Sequence, residues 1–156
     1  MSIRHALTKF LWRVHRWGYR ASGGRLGGRI VGMPVLLLTT TGRRSGQPHT
    51  TALTYLPDGR NLVVVASNGG APKDPDWMLN LRTNSRAVIQ MRDVRLAVRS
   101  REVAGAKRTE LWNRVVQKYS GYAAYQSRTS RTIPVVILEP EPDGGSELKS
   151  SSVALI

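Results

Sequence analysis

The chain has 156 residues, no cysteine, 24 Lys and Arg against 10 Asp and Glu, and a formal net charge of +14. That length supports one compact domain with one core. The missing thiols exclude disulfides, thiolate metal sites and a cysteine nucleophile, and His5, His15 and His49 lack the spacing of a metal site.

At the start of the chain, Ile3, Leu7, Phe10, Leu11, Val14 and Trp17 recur at helical spacing, with Arg4, Lys9, Arg13, Arg16 and Arg20 on the other sectors. The pattern predicts a basic amphipathic helix within residues 1–21. It lacks the uninterrupted apolar block and small-residue cleavage site of a secretory signal, so a cytoplasmic protein is expected. No Asp or Glu precedes Asp58, whereas Arg25, Arg29, Arg43 and Arg44 continue the basic series. An arginine-rich composition by itself also follows from codon bias, but segregated charge points to an anionic partner. That partner is a nucleic acid, an anionic membrane face met peripherally through the helix, or a small anionic ligand.

Glycines 23, 24, 27 and 28 make residues 22–31 a linker. Part of it approaches a phosphate loop but lacks the Lys-Ser/Thr ending and follows a helix instead of a strand. The longest uncharged stretch, residues 30–42, falls short of the roughly 20 apolar residues of a spanning helix. Apolar and β-branched runs at 35–41, 51–56 and 62–66 read as strands, the last two joined as a hairpin through Pro57-Asp58-Gly59. Asp74 is the expected N-cap and Pro75 the first residue of a short helix that carries Trp77, Asn80 and Leu81 and ends near Asn84.

Strands are expected at 87–91 and 94–103, the second with Val94, Leu96 and Val98 on one face and Arg95 and Arg99 on the other. Leu111, Trp112, Val115, Val116 and Tyr119 return to helical spacing, residues 133–138 form a last strand, and residues 141–156 form a loose tail. About six strands without repeating βαβ units predict an antiparallel β-barrel with peripheral helices, an α+β fold, within residues 32–140.

Two loops carry the chemistry. Thr39-Thr40-Thr41-Gly42-Arg43-Arg44-Ser45-Gly46 leaves a strand with hydroxyls, backbone amides and two guanidinium groups, the parts of an anion cradle. Ser67-Asn68-Gly69-Gly70-Ala71-Pro72-Lys73 also follows a strand, with adjacent glycines that permit close backbone approach and a lysine point charge. Each taken alone is also an ordinary polar loop.

Their order, followed by Trp77, Asn80-Leu81, Tyr122-Ala123-Ala124-Tyr125-Gln126 and Arg131-Thr132-Ile133-Pro134-Val135, resembles the deazaflavin-dependent nitroreductase family. The resemblance covers residues 32–140. It implies a split β-barrel related to FMN-binding barrels, and coenzyme F420, whose phospholactyl and oligoglutamate tail is strongly anionic, in preference to FMN. It implies hydride transfer from the reduced deazaflavin to a quinone-like or nitroaromatic acceptor, with quinone the natural class.

Carried over by position, Arg43, Arg44 and Ser45 belong to the phosphate region with Lys73 alongside, and Thr41 is a further cofactor-binding residue. Ser67, Asn68, Gly69, Gly70, Ala71, Thr50 and Thr51 approach the ring and ribityl chain, and Trp77 and Asn80 line the groove. The family more often has a lysine beside the first-loop arginine, and Arg43-Arg44 departs from this conservatively. Tyr119, Tyr122 and Tyr125, three residues apart, fit one helical face; the family places this region beside the acceptor, and packing is the alternative use. The resemblance requires neither a catalytic nucleophile nor a tuned carboxylate.

Two other readings stand beside this one. A basic nucleic-acid-binding protein fits the charge, but the chain lacks a helix-turn-helix signature, zinc spacing and an RNP aromatic motif. An F420-binding protein without turnover is the other.

Overall fold

Strands whose apolar residues alternate sides must bury both faces, and a sheet that curls on itself with helices outside does this. The computed structural model describes residues 29–30 and 32–142, so the expected helix within 1–21 and most of the tail lie outside the described residues. Its strands are β1 (Arg29–Ile30), β2 (Met33–Thr41), β3 (Pro48–Thr54), β4 (Leu56–Asp58), β5 (Asn61–Val65), β6 (Arg86–Met91), β7 (Val94–Glu102) and β8 (Val135–Pro140). Its helices are α1 (Asp76–Thr83), α2 (Gly105–Lys118) and α3 (Gly121–Ser127).

All pairings are antiparallel, in the order β2-β6-β7-β8-β5-β4, with β1 and β3 also on β2. Only Tyr55 separates β3, which pairs with β2, from β4, which pairs with β5. One bent strand thus joins the two ends of the sheet and closes a split barrel. Leu36, Leu38, Ile89, Val98, Leu62, Val64, Val136 and Leu138 fill the inside, joined by Trp77, Met78 and Leu81 of α1. Each fully buried Leu or Ile there contributes roughly 1.5–3 kcal/mol relative to exposure. Outside, Val63, Val65, Val135 and Ile137 pack with Leu111 and Val115 of α2 and Tyr122 of α3.

Several expectations change. Arg29 and Ile30, placed in the linker, pair with Pro34 and Met33. The strand expected at 51–56 starts at Pro48 and changes partner at Tyr55. The expected hairpin is β4–β5, but its turn is Gly59-Arg60, with Asp58 opposite Asn61 and Gly59 at φ +62°. Pro57 stays inside β4, where its ring needs no ladder donor. Asp74 caps nothing: α1 begins after Pro75 without a side-chain cap, and the Asp74 carboxylate is held by Arg82 and Arg131. Charge-assisted bonds to two guanidinium groups outcompete a single backbone N–H. The helix does end at Asn84.

The tyrosine segment is not one helix. α2 stops at Lys118 and α3 starts at Gly121, where a Cβ would sit 2.3 Å from the Tyr119 ring. No described helix is long and apolar enough to cross a membrane.

Candidate active site

β2 delivers its last residues to the mouth of the barrel, and a tight turn folds the chain back over α1. Gly42 N donates to Gln47 O at 2.8 Å, and Gly46 N donates to Gly42 O at 2.8 Å. A Cβ on Gly42 would lie 2.6 Å from Ser45 Oγ and 2.7 Å from His49 Nε2, so a larger residue there would displace both side chains from their present places. The turn opens a cleft of about 520 Å³ between itself, β3 and α1. Arg43, Arg44, Ser45, Thr50, Thr51, Trp77 and Asn80 meet on its walls, brought from three separate stretches of sequence. His49 and Asp76, not singled out in the sequence, also line it, as do Thr40 and Pro75. The signal for His49 is its place on β3 opposite Thr40 and two residues before Thr51, hence on the same face of the strand.

Asn80 organises the cleft. It is 3% exposed, and its Nδ2 donates to Thr40 Oγ1 at 3.1 Å. Its Oδ1 accepts from the Arg43 backbone N and from Arg43 Nη1, both at 3.1 Å. Arg43 also reaches Asp76 Oδ1 at 3.2 Å. Because the Asp76 side chain is 87% exposed, that ion pair adds little stability. Arg44 is exposed and has no hydrogen bond or ion pair among the described residues. Its five donors are open to a ligand. Thr41 does not line the cleft: alternation along β2 puts it on the outer side with Val35 and Leu37, and Thr40 on the inner side.

The second loop lies farther round. Asn68–Gly70 forms a single 3₁₀ turn, Asn68 Nδ2 donates to Lys73 O at 3.1 Å, and the Lys73 side chain is exposed. Gly70 has φ +79°, and a Cβ on it would meet Tyr125 O at 2.5 Å. Close backbone approach is real here, and the approaching group is α3. Ser67, Asn68, Gly69, Gly70, Ala71 and Lys73 are therefore not on the cleft wall, although the same loop runs on into Pro75 and Asp76, which are.

Tyr119, Tyr122 and Tyr125 do come together, with ring centroids 5.4, 6.4 and 5.9 Å apart in edge-to-face contact. None lines the cleft. Tyr122 is buried, its hydroxyl 2.6 Å from Thr54 Oγ1. Burial pushes its pKa up, partly offset by the Thr54 bond. The Tyr125 hydroxyl is also pushed up, first by its hydrogen bond with Tyr119 and then by burial. Both stay protonated at neutral pH. Among the described residues no group of three His, Asp or Glu is placed to hold a metal.

The profile of the F420H(2)-dependent quinone reductase family matches residues 11–140. Over 139 residues the chain is 43% identical to an F420H(2)-dependent quinone reductase of Mycobacterium tuberculosis, covering 86% of this chain and 93% of that one. Among solved structures it resembles the F420-H2 dependent reductase FDR-A, with a TM-score of 0.63 and 38% identity over 68% of this chain and 94% of that one. It also resembles a chain described as a domain-swapped dimer, with a TM-score of 0.65 and 32% identity over 88% of this chain and all of that one.

Proposed function

Because the chain belongs to the F420H(2)-dependent quinone reductase family, we propose that the cleft at the barrel mouth holds the anionic part of coenzyme F420 and that the tyrosine cluster borders a quinone acceptor. The chain is an F420-dependent reductase on a split β-barrel, and F420 is its cofactor. Family membership displaces the nucleic-acid-binding reading and that of a binder without turnover.

The residues fit such a cofactor. Its tail carries a phosphate and several carboxylates, and the cleft offers the partnerless guanidinium of Arg44, the partly committed one of Arg43 and the hydroxyls of Ser45 and Thr51. Lys73 lies on the loop leading into it. When bound, the reduced deazaflavin supplies a hydride. The protein has to position the two reactants and keep water from between them. Trp77, buried in the cleft floor against the barrel core, gives a rigid apolar surface. Asn80 fixes the turn that carries the arginines. On the acceptor side, Tyr125 is half-buried and offers a planar ring face, and its hydroxyl keeps its proton in a bond to Tyr119 that a quinone oxygen would have to replace.

The observation that carries this reading is the convergence on one cleft of seven residues from three separate stretches, the unpaired Arg44 among them. Titrating the protein with reduced F420 and with FMN tests it. F420 should bind more tightly, and Arg44→Ala should raise its dissociation constant about tenfold, the loss of one charge-assisted contact. Equal or tighter FMN binding, or an unchanged constant in the variant, would overturn the assignment.

The basic segment within residues 1–21 is proposed to meet an anionic lipid surface, where a quinone would dissolve. Its alternating apolar and basic sectors support this, each Lys or Arg near such a surface adding about 1 kcal/mol. The intact protein should sediment with anionic vesicles and not with neutral ones, and deletion through Arg20 should abolish that binding. An intact protein that ignores anionic vesicles has no such role.

A further inference from the structure

We infer that Arg131 is a positioning residue that sets cofactor affinity by holding the chain from Ala66 to Asp74 in its ligand-ready shape, without touching the cofactor. The inference rests on the placing of Lys73 at the cofactor in the proposal above. Arg131 follows α3 and precedes β8, and its side chain is 15% exposed. Its Nε donates to Ala71 O at 2.9 Å. Nη1 donates to Ala66 O at 3.3 Å and to Asp74 Oδ1 at 2.6 Å. Nη2 donates to Ala66 O at 3.3 Å and to Ser67 O at 2.8 Å.

A guanidinium has five N–H groups, so these bonds consume every donor. Arg131 has nothing left for an anion, in contrast to Arg44. What it gathers is a segment that the sheet holds only at its start, where Ala66 N donates to Pro134 O at 2.9 Å. Asn68, Gly69 and Gly70 all sit at positive φ, of +46°, +65° and +79°, which for Asn68 is an uncommon conformation. The segment's own bonds are Gly70 N to Ser67 O, Ala71 N to Asn68 O and Asn68 Nδ2 to Lys73 O. Arg131 ties both ends of this turn to one point.

The tie extends outward. The second oxygen of Asp74 accepts from Arg82 Nη1 at 2.6 Å, and Arg82 in turn makes a two-point contact with Glu102 on β7. The loop is thereby fixed to α1 and to the barrel wall together. Lysine cannot replace this arginine, because an ammonium is a compact donor that cannot span three carbonyls and a carboxylate. Loss of the fork leaves the loop free to relax away from the shape in which Lys73 faces the cofactor.

The test measures reduced-F420 affinity in Arg131→Lys, Lys73→Ala and the double variant, at low and high salt, with the thermal midpoint as a check on folding. Arg131→Lys should raise the dissociation constant about tenfold, and KM for the cofactor more than it lowers kcat. The loss should persist at high salt, since its origin is geometric, whereas that of Lys73→Ala should shrink. In the Arg131→Lys background, Lys73→Ala should have little further effect, because the lysine is already displaced. Wild-type affinity in Arg131→Lys, or strict additivity with Lys73→Ala, would overturn the inference alone while Lys73→Ala still weakens binding. If Lys73→Ala and Arg44→Ala are both silent in the wild-type background, the cofactor placement falls and this inference with it. If Arg131→Lys does not fold, Asp74→Asn decides: it keeps an acceptor and removes the charge, and should weaken binding in the same salt-independent way, whereas wild-type affinity would overturn the inference.

Discussion

In the cleft, hydrogen-bonding capacity is left over: Arg44 has no partner among the described residues, and Arg43 shares its donors between Asn80 and an exposed Asp76. In the tyrosine cluster it is consumed, because Tyr122 is bonded to Thr54, Tyr125 to Tyr119, and all three rings lean edge to face on one another. The first region is electrostatically open and geometrically supported from below. The second is a packed wall with little polar capacity to spare. A ligand's charge is therefore read in the cleft, while the tyrosines contribute shape and a small number of protonated hydroxyls.

Removing the support beneath the open region should have the largest effect. Asn80→Ala deletes bonds to Thr40 and to both the backbone and side chain of Arg43 in a buried place. A loss of about 3 kcal/mol in unfolding free energy is expected, together with weaker F420 binding. Urea denaturation and cofactor titration on the same sample measure both, and a stable variant with normal binding would show that the turn supports itself.

The packed region should respond differently. Tyr122→Phe keeps the ring and removes the bond to Thr54, for an expected loss of about 1 kcal/mol. Tyr125→Phe should lower single-turnover oxidation of bound reduced cofactor by a soluble quinone, with little change in cofactor affinity. Intact turnover after alanine replacement at both positions would place the acceptor elsewhere.

The smallest effect is the alkaline one. Both Tyr122 and Tyr125 have pKa values raised above the ordinary 10.0, so the fold favours their neutral forms. Their contribution to stability is complete below the unfolded pKa and is lost as pH rises through the higher folded values. Stability should fall above about pH 10, with tyrosinate absorbance from these residues appearing later than from free tyrosine. Titration of every tyrosine at the ordinary value would remove the distinction between the two regions.

Much of the barrel is legible in the residues. The β-branched runs mark β2, β5, β6, β7 and β8 to within a few positions, and the helix carrying Trp77 and Asn80 ends at Asn84 as its composition suggests. The basic Gly-containing turn could be singled out because its residue types suit anions wherever they are placed. The 67–73 loop was legible as a glycine-rich turn but not as one packed on α3, since the group that needs the space at Gly70 is Tyr125 O, far away in sequence. The regular spacing of the three tyrosines predicts their clustering but hides the break between α2 and α3 that creates it.

Local chemistry thus determined which segments extend, where the chain turns and which side chains are suited to an anionic cofactor, because periodicity and residue type act over a few neighbours. Tertiary structure alone decided partners. Nothing in the residues from Pro48 to Asp58 shows that the strand leaves β2 for β5 at Tyr55. β5 and β8 are buried on both faces, so their apolar runs carry no mark of which side faces the barrel. Asp74 reads as a helix cap until Arg82 and Arg131 arrive, the latter from 57 residues away. Arg44 and Arg131 are the same residue type, and only the positions of distant carbonyls and carboxylates leave one open and the other saturated.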